Sequence, residues 1–450
     1  MHRVRKEHSM TMTQGSILRQ LLLYSLPLLA GNFFQQCYNT VDSIVLGNFV
    51  GKAALAAVGT TTPIINTLIG LFLGLSTGIG VVISQFYGAR EDKKVSQAVQ
   101  TSLLLVLLLC VAFTIVGVLM VPFMLRLMAT PADVLPEATL YLRIYFAGVA
   151  GLMLYNLGSG ILRAVGDSRR PLYFLIFSAA VNTVLDLLFV AGLGYGAAGA
   201  AAATAMAQAA MTVYVILYTC RRYPLLRFRF GKKALDPQTI RQGVHFGAPP
   251  AIQSGVSSVG SVFLQQFMNG FGEQTVAAIT TAYRIDTVIF LPIINFGSGI
   301  ATMVAQNIGA GDRKRAGQMF RSGLVLMTII SLALTMLVLA LGGHLIAMFG
   351  LTEASVTIGV RFFRAIAGFY VVYGLSMAVR GFLEGNGDMF FSGAAGILAL
   401  LVRIAGSYAL KPVFDNMVVA YAEAFSWIFL LAILVLRYWR FCRGYQSDRI

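Results

Sequence analysis

The chain has 450 residues, of which 57% are hydrophobic and 12% charged, with a formal net charge of +16. A soluble domain carries about 25% charged residues, so one water-soluble globule is excluded and an integral membrane protein is expected. Twelve long apolar segments run in chain order over about 17–47, 53–86, 96–126, 135–162, 171–191, 197–220, 240–268, 275–307, 317–347, 356–382, 391–410 and 416–438. Each reaches or exceeds the ~20 residues of a spanning helix. They are continuous and rich in Leu, Ala and Gly, unlike the alternating stretches of about ten residues in a membrane barrel.

The basic residues report topology rather than nucleic-acid binding. With the amino terminus in the cytoplasm, both tails and the even-numbered connections hold 26 of the 34 Lys and Arg. The opposite side holds Lys52, Arg126 and Lys411. This is the positive-inside bias, with both termini cytoplasmic and membrane lipids as contacts. No cleaved signal peptide is expected, because the first apolar run is long, contains Pro27 and continues through polar positions. The four cysteines are isolated and give neither a disulfide framework nor metal spacing.

The chain repeats itself. "SQFYGAREDKKVSQ" at 84 matches "AQNIGAGDRKRAGQ" at 305, and "GILRAVGD" at 160 matches "GFLEGNGD" at 381, both with an offset of 221 residues. Arg143 with Arg364 and Gly51 with Gly272 keep the same offset. Six helices per half return the chain to its starting side. The expected fold is therefore an all-α membrane protein of twelve transmembrane helices, in two six-helix lobes related by a pseudo-two-fold axis along the membrane normal. The expected division is 1–220, a cytoplasmic linker 221–238, and 239–450. The glycine-rich "GAGD" and "GNGD" lack the Lys-Ser/Thr of a phosphate loop and read as tight turns. No ATPase follows, so energy is expected from an ion gradient.

Carboxylates inside apolar segments are costly and point to function. Asn182 and Asp186 are four apart on one face of the fifth segment, with Ser178 a turn earlier. Gln35, Tyr38, Asn39 and Asp42 form a helical stripe in the first, and Thr204 lies in the small-residue run "GAAGAAAATAMAQ" of the sixth. Asp42, Asn182, Asp186 and Thr204 are expected to form one polar cluster. Neighbouring carboxylates in low dielectric do not readily both ionise, so the pair can carry a proton, or with amide and hydroxyl oxygens coordinate Na⁺. Hydrogen bonding between helices is the structural alternative. In the second half Phe263 and Ser407 stand 221 residues after Asp42 and Asp186, and Arg403 answers Asn182. The intramembrane charges there are Arg284, Asp286, Arg403 and Glu423, for which ion pairing competes with function. Tyr38, Tyr155, Phe263, Gln265, Tyr283 and Phe290 are candidate cavity residues beside Gln35, Asn39, Arg284, Asp286 and Glu423, since flat aromatic faces suit apolar cations. His2, His8, His245 and His344 are scattered, and no Ser-His pairing supports an enzyme.

These features together resemble the multidrug and toxic compound extrusion (MATE) family. The resemblance rests on "LPLLAGNFFQQCYNTVDSIVLGNFVG", "SQFYGAREDKK", "ILRAVGDSRRP", "VNTVLDLLFV", "GAAGAAAATAMAQ" and "AQNIGAGDRK", and is nearest to its DinF-like and MepA-like branch. It implies an antiporter exchanging H⁺ or Na⁺ for cationic or amphipathic drugs in a bacterial inner membrane, with no cofactor. The cation-coupling roles fall on Asp42, Asn182, Asp186 and Thr204, and Pro27 matches a proline where some members bend. The acids that another branch uses on helices 7 and 10 have no counterpart here within the membrane. A lipid or lipid-linked sugar flippase of the wider superfamily is the alternative. A two-lobe cavity needs no partner, so a monomer is expected.

Overall fold

The structure, a computed structural model, describes residues 12–49, 52–127, 130–132, 134–227 and 237–447, with side chains described except at 41–60, 63 and 444–447. The first eleven residues, most of the expected linker and the side chain of Asp42 lie outside the described residues. Among the described residues there are twelve helices and no strand. They are α1 (Ile17–Phe49), α2 (Lys52–Gly88), α3 (Asp92–Leu127), α4 (Leu135–Ala147 continuing as Val149–Ala164), α5 (Arg169–Asp186) and α6 (Gly196–Arg222), then α7 (Pro237–Asn269), α8 (Glu273–Ile289 continuing as Leu291–Gly309), α9 (Arg313–Ala347), α10 (Glu353–Ile366 continuing as Tyr370–Gly385), α11 (Met389–Phe414) and α12 (Val418–Ser447). All twelve expected segments are helical, with ends moved outward by a few residues. Nine stretches are long and apolar enough to cross a membrane, Met389–Arg443 covering two helices, and α4, bent by 45°, makes a tenth. Helix α7 is less apolar because it carries Pro249, Pro250 and several polar residues.

The 221-residue repeat is visible in local geometry. The hydroxyl of Thr114 donates to the Phe146 carbonyl at 3.3 Å, where α4 breaks, and Thr335 donates to the Ala367 carbonyl at 2.7 Å, where α10 breaks. The turns that follow these helices need a left-handed residue, and Gly166 and Gly387 supply it with φ of 91° and 92°. The turn of "GAGD" likewise places Gly311 at φ 76°, and the Asp312 carboxylate then caps α9 by accepting from the Arg315 N–H at 2.8 Å. Leu108, Val111 and Ile115 of α3 are exposed, as are Ile329, Leu332 and Met336 of α9 at the repeated positions. In a membrane helix such apolar stripes face lipid.

The chain divides into two compact units, one holding Leu26–Ala251 and the other Met12–Ser25 with Ile252–Ile450. This differs from a cut at 221–238 in two places. The start of α7 packs with the amino-terminal helices, because α2 offers it glycines. A Cβ on Gly78 would lie 2.3 Å from the Gly247 nitrogen. The start of α1 packs with the carboxyl-terminal helices in the same manner, and a Cβ on Gly299 would lie 2.3 Å from Ser25 Oγ. Gly78 and Gly299 are themselves 221 apart. Tyr24 adds a hydrogen bond to Thr302 at 3.2 Å, and Arg315 donates to the Gly15 carbonyl at 2.8 Å. Both unit boundaries fall within two residues of proline, at Pro27 and at Pro249–Pro250.

Each unit has its own apolar core. The first is built around Phe72, Leu142, Phe146 and Phe174, the second around Phe362, Phe363, Tyr370 and Trp427. Each also ties its "GD" turn to its last helix. The Tyr223 hydroxyl donates to Asp167 Oδ2 at 2.5 Å in the first unit, and Arg437 Nε to Asp388 Oδ2 at 2.6 Å in the second. Burial and the Asp167 carboxylate push the Tyr223 hydroxyl up from its ordinary range, so it remains a donor.

Candidate functional site

Helix α5 forms its polar face by simple spacing. Ser178, Asn182 and Asp186 follow one another at four-residue intervals, and all three are buried, Asn182 and Asp186 to 1% exposure. Small residues of α6 let the two helices approach, and α6 brings Thr204 against them. Asn182 Nδ2 donates to Asp186 Oδ2 at 2.6 Å, while Asn182 Oδ1 accepts from the Thr204 hydroxyl at 3.3 Å and the Thr204 backbone N–H at 3.2 Å. Three of the four expected coupling residues are thus joined, and the fourth, Asp42, has its side chain outside the described residues. The helix changes character at this point. Immediately after Asp186 the α-helix widens into a π-helical turn, Leu187–Gly192. Such turns are rare and concentrate at functional sites. The sequence carries no cue for it beyond the nearby "AGLGYG".

The first unit also holds the other amino-half candidates. Gln35 and Tyr38 are partly buried on α1 and Asn39 is exposed. Tyr155 packs against the apolar core, with its hydroxyl 3.5 Å from the Pro171 carbonyl. Helix α1 runs through Pro27 without interruption.

In the second unit the candidates sort into two groups. Asp286 and Glu423 are buried rather than placed on an open wall, at 3% and 7% exposure. The Tyr370 hydroxyl donates to Asp286 Oδ1 at 2.5 Å. The Arg403 guanidinium donates to Glu423 Oε2 at 2.8 Å and to the Tyr283 hydroxyl at 2.7 Å. Phe290 is stacked edge-on to Tyr370 and Trp427, with centroids 5.0 and 5.7 Å apart. Asp286, Tyr283, Phe290 and Glu423 therefore belong to the packed interior of this unit, because each long polar side chain finds its partner across a helix pair. Phe263, Gln265 and Arg284 are exposed, and Gln265 donates to Asn269 Oδ1 at 3.0 Å. The partner of Asp286 is not legible in the sequence, since Tyr370 lies 84 residues away and carries no spacing signal. Arg380, which donates to Glu384 Oε1 and to Gln253 Oε1, both at 2.6 Å, likewise reads in the sequence only as a topology marker.

Among the described residues no group of three or more His, Cys, Asp or Glu side chains gathers to hold a metal ion. The oxygen donors of Asn182, Asp186 and Thr204 are suited to a proton or to a hard monovalent cation.

The MatE family model matches the chain twice, at residues 27–188 and 249–409. The two matches together cover more than half of the chain, and their starts and ends reproduce the internal repeat. The chain is 31% identical over 377 residues to the "Probable multidrug resistance protein YpnP" of Bacillus subtilis (strain 168), covering 84% of each chain. It is 21% identical to the "Multidrug export protein MepA" of Staphylococcus saprophyticus over 83% of each, and 23% identical to an "FAD transporter" of Shewanella oneidensis over 67% of each. Among solved structures, one described as the outward-facing conformation of a multidrug resistance MATE family transporter superposes with a TM-score of 0.91 at 21% identity, covering 99% of this chain and 100% of the other. A duplicated six-helix membrane fold, two family matches in register with that duplication, and relatives spanning most of the chain lead to one conclusion: this protein is a membrane transporter that belongs to the MatE, or multidrug and toxic compound extrusion, family.

Proposed function

We propose that the chain is a secondary active exporter of cationic and amphipathic small molecules, driven by inward movement of H⁺ or Na⁺ through the Asn182–Asp186–Thr204 cluster. The buried carboxylate of Asp186, hydrogen-bonded to a neutral amide inside a membrane helix, is the observation that carries this reading. A carboxylate in that setting is strongly favoured to take up a cation, because the charged form is costly in hydrocarbon. Asp42, one helical stripe below Tyr38 and Asn39, completes the set in this proposal. The names of the curated relatives supply the export of drugs.

Coupling follows from linkage. Ion and substrate each shift the same equilibrium between two conformations by the difference in their affinity for them. The ion enters from outside, occupies Asp186 and lowers the fraction of the substrate-holding state, and the substrate leaves. The bacterial inner membrane is the proposed location, with both termini in the cytoplasm by the positive-inside bias.

The test is ethidium uptake into proteoliposomes under separately imposed Na⁺ and pH gradients. Acceleration by one gradient alone supports ion-coupled export and identifies the ion. Uptake indifferent to both gradients overturns the proposal.

A further inference from the structure

The second unit carries a groove of about 450 Å³ at the start of α8, lined by Asn269, Glu273, Thr280, Thr281, Arg284 and Leu351 among others. That volume lies in the range of small-molecule sites. Two of its walls are opposite charges. Glu273 opens α8 and Arg284 follows eleven residues later, which is close to three helical turns, so both side chains leave the same face about 16 Å apart along the axis. Both are exposed. Neither makes a hydrogen bond or an ion pair among the described residues, whereas the other deep charges of this unit, Arg403, Glu423 and Asp286, are all engaged.

Arg284 lies about half a bilayer thickness from the start of its helix. An arginine at that depth is too far from the interface to reach it along its own side chain, and intramembrane arginines face water-filled cavities or partners rather than lipid. A planar guanidinium with free donors is suited to a carboxylate or phosphate, which it binds through two parallel hydrogen bonds. Glu273 offers the complementary charge for an ammonium at the mouth.

We propose that this groove is a binding subsite for amphipathic zwitterions, in which Arg284 holds the oxyanion and Glu273 faces the cationic end. The proposal rests on the reading of the chain as a small-molecule exporter and adds a substrate class to it. The amino-terminal cluster handles the coupling ion, and the groove selects cargo that carries an oxyanion as well as a positive charge. A soluble zwitterion and a zwitterionic lipid headgroup share this chemistry.

The experiment measures binding of rhodamine B and of its ethyl ester to the full-length protein in detergent by fluorescence polarisation. The two dyes differ only in the free carboxylate. Wild type is expected to prefer rhodamine B, and Arg284→Gln to weaken it about ten-fold or more while leaving the ester within two-fold. Arg284→Lys, which keeps the charge, is expected to restore part of the affinity. Unchanged ester binding shows that the variants are folded. Equal binding of acid and ester to wild type, or an Arg284→Gln variant with unaltered rhodamine B affinity, overturns the proposal. Displacement of rhodamine B by lysophosphatidylethanolamine assigns the subsite to lipid headgroups, and its failure to displace assigns it to soluble zwitterions. Arg284-dependent binding in a protein whose ethidium uptake ignores both ion gradients would keep the subsite and discard the coupled-export reading.

Discussion

The two lobes place different chemistry at equivalent positions of one scaffold. In the first, Asn182 on α5 donates to Asp186, four residues along the same helix. In the second, the positions 221 residues later are Arg403 and Ser407 on α11. Arg403 turns to Glu423 and Tyr283, and the Ser407 hydroxyl donates back to the Arg403 carbonyl at 2.9 Å. An acid beside a neutral amide keeps its demand for a mobile cation. An acid beside a guanidinium has that demand met by the protein itself. Duplication thus preserved the helices while one substitution, amide against guanidinium, separated an ion-binding lobe from a lobe with an internal counter-ion.

The largest expected effect comes from breaking that internal pair. Glu423→Ala leaves Arg403 buried without its carboxylate, and removing one partner of a buried pair costs about 3–5 kcal/mol. A marked drop in the thermal unfolding midpoint of the purified protein is expected, and the double variant Arg403→Met with Glu423→Leu is expected to recover much of it. Equal stability of the single variant and wild type would show that the pair is solvated. Asn182→Ala in the first lobe is expected to cost less, about 1–3 kcal/mol, because it removes a neutral partner.

Tyr370→Phe isolates the remaining acid of the second lobe. It deletes the hydroxyl that donates to Asp286 Oδ1. A loss of about 1.5–3 kcal/mol is expected for a hydrogen bond to a charged group, read in the same unfolding assay with ethidium transport measured alongside. The comparison sharpens if stability falls and coupling is retained, since Asp286 then serves packing.

Matched glycines probe the scaffold rather than the charges. A Cβ on Gly381 would lie 2.5 Å from the Gly297 carbonyl oxygen, whereas at the repeated position a Cβ on Gly160 would meet the Ser76 hydroxyl, which can rotate. Gly381→Ala is expected to cost about 1–3 kcal/mol, more than Gly160→Ala, in paired thermal melts. The smallest effect is expected at the turn ties. Arg437 is 40% exposed, so Arg437→Gln should cost no more than about 1 kcal/mol.

Much of this was legible in the residues. Twelve apolar runs and an unbroken 221-residue offset specify the helices and their duplication, because membrane spans need length and internal hydrogen bonding more than any particular long-range contact. The Asn182–Asp186–Thr204 cluster was legible because helical spacing aligns the first two and the small-residue run of α6 lets the third approach. The crossing of the first halves of α1 and α7 into the other unit was not legible, since it depends on glycine contacts at Gly78 and Gly299 that no periodicity announces. Nor was the burial of Asp286 and Glu423. Their partners sit on other helices, and a charged residue in an apolar run reads the same whether it lines water or meets a tyrosine.

The central claim is that coupling resides in the first lobe. The most direct measurement is gradient-driven ethidium uptake into proteoliposomes by Asp186→Asn beside the Arg403→Met, Glu423→Leu double variant, each matched to wild type for monodisperse, folded protein. The account predicts that Asp186→Asn loses acceleration by the gradient at least about ten-fold while the double variant keeps it. Undiminished coupling in Asp186→Asn, with coupling lost in the double variant, would contradict it and place the ion in the second lobe.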